Sequence, residues 1–153
     1  MKLNPLHIGR TIAVTFEHGE DFFKSLRGAC EESGIRQGYI PMFVAGLSEA
    51  ELAGTCEKLP DPEAPVWSAV HLTNLEAVGA GSIAWDEESR TVWPHIHLSV
   101  GARQHGAVGY TSHLLAATVQ FLTEMVIVEV TAPQASRVRN RALYDVPVLT
   151  FGD

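Results

Sequence analysis

Apolar residues alternate in several segments of this chain, follow the helical period clearly at one place, and fit either period at others. Residues 11–17, TIAVTFE, alternate and are rich in β-branched side chains, which predicts a strand. Gly19-Glu20-Asp21 then reads as the acidic opening of a helix. Phe22, Leu26, Ala29 and Cys30 follow the i, i+4, i+7, i+8 spacing of one buried stripe, and the helix should end near Ser33, with Gly34 taking the left-handed conformation.

From Gly38, GYIPMFVAGL predicts a strand with Pro41 on an edge or at a bulge. SEAELAGT fits a helix or part of a hairpin, and EKLPDPEAP, residues 57–65, predicts an exposed loop. VWSAVHLTNLEAVG and GSIAW read as two strands meeting in a turn at Gly79-Ala80-Gly81, with DEESR as the hairpin turn before TVWPHIHLSVG. ARQHGAVGYTSH reads as a glycine-rich loop. LLAATVQFL fits a short helix or a strand, MVIVEV predicts a strand, and RVRNRALYDVPVLTF returns to the sheet. These elements, five or six strands joined mostly by short turns with one amphipathic helix near the start, describe an α+β sandwich built on a mainly antiparallel sheet, as one domain over residues 1–153.

Composition narrows the function. With 153 residues, 46% of them hydrophobic and 19% charged, the chain can bury one proper core. A formal charge of -7 opposes nonspecific binding to a polyanion. The stretch MKLNPLHIGR has no apolar run of the kind a secretory signal needs, and no segment has the length of a membrane span, so a cytoplasmic chain is expected. Cys30 and Cys56 lack a CxxC partner and read as buried or half-buried thiols.

The chemistry concentrates in PHIHLSV, residues 94–100. On a strand His95 and His97 share one face while Ile96 and Leu98 share the other, so two imidazoles converge. His113 follows across the glycine-rich segment as a third candidate. Three neutral imidazoles with a fourth position open are a usual build for zinc and similar metals, although interior hydrogen-bonded histidines would give the same spacing. His105 reads as a turn residue, and His7, His18 and His71 have no comparable spacing. Glu124 is a candidate to orient a ligand imidazole or to act as a base, against the commoner role of an exposed glutamate. A cupin would place a carboxylate shortly after HxH, and HIHLSVGARQHG has none. GAGS lacks the Lys-Ser/Thr ending of a phosphate loop, and no Gly-x-Ser-x-Gly elbow is present.

The order GAGS, a polar turn, PHIHLSVG, a loop with Gly106 and Gly109, and His113-Leu114-Leu115 resembles the PPC domain, found alone in prokaryotes and joined to AT-hooks in plant nuclear proteins. The resemblance implies a compact α+β subunit, a mainly antiparallel sheet flanked by helices, that assembles as a homotrimer, and a divalent metal, zinc foremost, on His95, His97 and His113. The chain departs from the family pattern where two glycines usually precede HL, since Thr111-Ser112 stand there. The DNA-binding label of the plant members belongs to a separate arginine-rich hook that this chain lacks. Arg137, Arg139 and Arg141 are the nearest basic feature, able to contact phosphates from one face of a strand or to serve as a solvated edge. Three functional readings follow: a metal-binding oligomeric domain with a regulatory role, a metal-dependent enzyme acting on a small molecule through the open position, and a DNA-associated protein.

Overall fold

A computed structural model describes residues 3–54, 68–143 and 145–152. Among these residues the regular structure is seven strands and one α-helix: β1 (His7–Glu17), α1 (Phe22–Ser33), β2 (Gly38–Ala53), β3 (Ala69–Asp86), β4 (Thr91–Ala102), β5 (Val108–Ala132), β6 (Ala135–Asn140) and β7 (Val146–Phe151). Short 3-10 turns lie at Arg103–His105 and Arg141–Leu143.

The sheet closes on itself. β2 pairs with β3 and β5, and β4 pairs with the same two strands, all antiparallel. The length of β5 makes this closure: Val108–His113 pair with β4, while Leu114–Glu129 pair with β2. Its course is irregular at Phe121, where φ is 71° and the pairing with β2 shifts register between Ala45 and Leu47. β1 lies along the second half of β5, and the β6–β7 hairpin joins β3 at the single parallel pair Trp85↔Ser136.

This corrects the expected α+β sandwich with flanking helices: the fold is a mostly β, closed barrel with one helix. Periodicity failed at the two ambiguous segments, SEAELAGT and LLAATVQFL. Residues 48–53 of the first finish β2, and the second lies wholly within β5. A barrel buries one face of every strand against the others, so it needs no layer of helices. GAGS also differs from expectation, because Gly79 and Gly81 sit inside one continuous strand. A Cβ at Gly79 would enter the Phe43 ring, and one at Gly81 would strike the His95 carbonyl. The glycines serve close approach instead of a turn. The glycine-rich loop is shorter than expected, with β5 starting at Val108.

Other expectations hold. α1 runs to Ser33, is capped by Asp21 through a hydrogen bond from the Lys24 amide to Oδ1 (2.7 Å), and ends at Gly34 with φ 71°. Asp21 is thus a cap and not part of an acidic first turn. Phe22, Leu26 and Cys30 are buried, with the Phe22 ring 5.5 Å from Phe16 and 5.2 Å from Phe43. Pro41 falls where β2 breaks register with both neighbours, between Ile40 and Phe43 on one side and Tyr39 and Met42 on the other. Burial raises the Cys30 thiol to about 11, so it packs as an inert apolar group. Cys56 and the predicted loop at residues 57–65 lie outside the described residues. Among the described residues, no helix is long and apolar enough to cross a membrane.

Candidate metal centre

Alternation along β4 builds the site. Val92, Pro94, Ile96, Leu98 and Val100 turn into the barrel and are buried, which forces Trp93, His95, His97 and Ser99 onto the outer face. His113 is the cross-strand partner of His97, so β5 adds the third imidazole beside the first two. The three ring centroids are 4.9 to 5.2 Å apart. One ligand nitrogen from each ring can be chosen so that all lie within 4.8 Å of one another.

The donor chemistry fits a metal. Nε2 of His95 and Nε2 of His97 are 3.1 Å apart. Zinc–nitrogen bonds of about 2.0–2.1 Å in a tetrahedron would set two such atoms roughly 3.3 Å apart, so this pair needs little movement. Burial, helped by the positive charge of Arg137 and by the neighbouring imidazoles, pushes His95 down to about 4. His113 is lowered by the same kinds of cause, burial first. Both rings are therefore neutral at physiological pH, the state in which imidazole binds a metal. Glutamate and aspartate contribute nothing to this group among the described residues.

The two residues that depart from the glycine pattern have defined partners. Thr111 Oγ1 lies 2.7 Å from Ser99 Oγ, and Ser112 Oγ donates to the Ala53 carbonyl at 2.7 Å. These bonds tie the strand leading to His113 to both of its neighbours, and neither residue takes a positive φ.

Glu124 is placed elsewhere. It is exposed on β5, and the ladder from it to the histidine strand runs Glu124↔Val44↔Val78↔Ser99. Three strand spacings of about 4.8 Å make roughly 14 Å, beyond hydrogen-bond reach of a ring in the same chain. The three arginines also part company. Arg137 is buried at 9% exposure. Arg139 stacks 4.9 Å from the Trp93 ring centroid and lies 3.9 Å from both Glu88 and Asp145. Arg141 is exposed in a 3-10 turn, so no common basic stripe forms.

Sequence reading missed how Arg137 and Ser82 relate to the histidines. Arg137 Nη2 donates to Ser82 Oγ at 2.7 Å, and Ser82 is the cross-strand partner of His95. The signal was the shared parity of Arg137 and Arg139, which puts both on the side of β6 that faces the outer surface of β3 and β4.

The profile of the Plants and Prokaryotes Conserved (PCC) domain matches residues 4–131. No curated protein matches the chain. Among solved structures, a plant- and prokaryote-conserved (PPC) protein from Pyrococcus horikoshii superposes with a TM-score of 0.81 at 17% identity, over 100% of this chain and 99% of that one. The metal-containing protein AF0104 from Archaeoglobus fulgidus gives 0.80 at 18% identity, over 98% and 99%. A candidate DNA-binding protein from Bacteroides thetaiotaomicron gives 0.74 at 21% identity, over 97% and 99%. At these identities the likeness establishes a shared fold.

Proposed function

This chain belongs to the Plants and Prokaryotes Conserved domain family, also written PPC, and on that premise we propose that it is an oligomeric metal-binding domain whose divalent ion, zinc foremost, is held by His95, His97 and His113. The observation that carries this reading is the convergence of three imidazoles on one outer face, two of them kept neutral by burial. The similar fold of a metal-containing archaeal protein supports it. Such an ion would supply Lewis acidity at its open position. The residues around it would hold and orient a ligand, and Glu124 of the same chain stands too far away to serve as a base there.

Self-association, as a homotrimer, belongs to the same proposal. Val44 and Val78 face each other on adjacent strands of the outer surface, and Met42 lies two residues from Val44. They are 37%, 53% and 48% exposed, an apolar strip of the kind a partner subunit covers. The free, buried thiol of Cys30 is compatible with a reducing cytoplasmic setting. A regulatory, DNA-associated role is the weaker part. A solved relative's name supports it, whereas the charge of -7, the burial of Arg137 and the acidic neighbours of Arg139 work against an open surface that grips a nucleic-acid backbone.

The test is zinc titration into metal-free protein against a chelating indicator, beside His113→Ala. Saturation at one zinc per chain, weakened at least about tenfold in the variant, is expected. Equal zinc uptake by parent and variant would remove His113 from the site, and no uptake by the parent would end the metal reading.

A further inference from the structure

Arg137 is the one arginine among the described residues that is buried, and its electrostatic situation differs from that of three exposed ones. Arg10, Arg103 and Arg139 each lie within 4 Å of a carboxylate, on Glu129, on Glu76, and on Glu88 and Asp145 respectively. Arg137, only 9% exposed, meets neutral acceptors instead. Nη1 donates to the Pro147 carbonyl (3.2 Å), Nη2 donates to Ser82 Oγ (2.7 Å), and the buried Nε has no hydrogen-bond partner among the described residues. A guanidinium withdrawn from water without a counter-charge is costly, and such a group is retained where an anion completes it.

Its position says where that anion belongs. Ser82, which anchors Nη2, is paired with His95, and the charge of Arg137 is felt at both His95 and His113. The three imidazoles are neutral ligands. A divalent ion on them would therefore add its whole charge beside Arg137, with no carboxylate in the group to offset either. We infer that this site takes an oxyanion, the carboxylate or phosphate group of a small molecule, with Arg137 as its electrostatic partner beside the metal's open position. The inference rests on the metal reading above and adds the chemical class of the ligand. Each terminal nitrogen of Arg137 keeps one N–H beyond its present bond, so the guanidinium can serve an anion without giving up Ser82 or Pro147.

The experiment uses cobalt(II)-loaded protein, whose visible absorption reports on the metal's ligands, at ionic strength held constant with chloride. Acetate and inorganic phosphate are titrated as the two oxyanion probes, and acetamide as a neutral counterpart of acetate. At least one oxyanion should change the spectrum saturably while acetamide does not, and which one does identifies the group. Arg137→Gln should weaken that response about tenfold or more at unchanged cobalt content. Ser82→Ala, which frees the guanidinium but keeps its charge, should weaken it less, and together with the acetamide contrast it decides the matter if Arg137→Gln does not fold. A response equal for acetate and acetamide, no response to either oxyanion, or one unchanged in both variants would overturn the inference while leaving the metal site standing. A parent that takes up no cobalt would overturn both.

Discussion

The two faces of β4 are built from alternate residues of one strand and obey different rules. The inner face, with Val92, Ile96, Leu98 and Val100, is apolar and at most 5% exposed. The outer face, with Trp93, His95, His97 and Ser99, is polar or aromatic and only partly covered. On the inner face a side chain is chosen to fill volume, and on the outer face to present a donor atom at a set position. A change on one face should therefore register as stability and on the other as chemistry.

The sharpest way to break that contrast is Ile96→Ala. Ile96 is 0% exposed, and its truncation should cost about 2–5 kcal/mol in a denaturant titration while sparing the imidazoles that flank it. Gly81→Ala should come next, at about 1–3 kcal/mol, because the new Cβ meets the His95 carbonyl and must push β4 away. Unlike Ile96→Ala, it should also weaken metal binding, since it moves the backbone of a ligand.

Acid gives a test of intermediate size. Folding holds His95 at about 4 and lowers His113, whereas an unfolded imidazole titrates at about 6.5. Between those values the unfolded chain takes up protons that the folded chain refuses. Metal-free protein should thus lose stability as the pH falls from about 6.5 towards 4, and His95→Gln should flatten that loss. A thermal melt series across this range reads both. Smallest of all, His97→Ala should change metal-free stability by less than about 0.5 kcal/mol, since His97 is exposed, while still lowering metal affinity.

The legible parts of the molecule were those where a local pattern decides the structure. HxH on an alternating strand put His95 and His97 on one face, and the helical stripe from Phe22 to Cys30 located α1, because both periods act over a few residues. The closed barrel was not legible. It depends on β5 being long enough to pair with two different neighbours, and LLAATVQFL satisfies either period until β2 supplies partners at Leu114, Ala116, Ala117, Thr118 and Val119. The glycines of GAGS looked like a turn because the Phe43 ring and the His95 carbonyl, which require them, come from other strands. Arg137 was legible as a charge and not as a buried one, since its burial comes from a hairpin that meets β3 through one pair of residues.

The central claim is that the outer face of β4, together with His113, holds a metal. Elemental analysis of the untagged protein as purified, beside a His95→Ala, His97→Ala double variant of unchanged fold, tests it most directly. The account predicts close to one divalent ion per chain in the parent and none in the variant; an equal content in the two, or none in either, would contradict it.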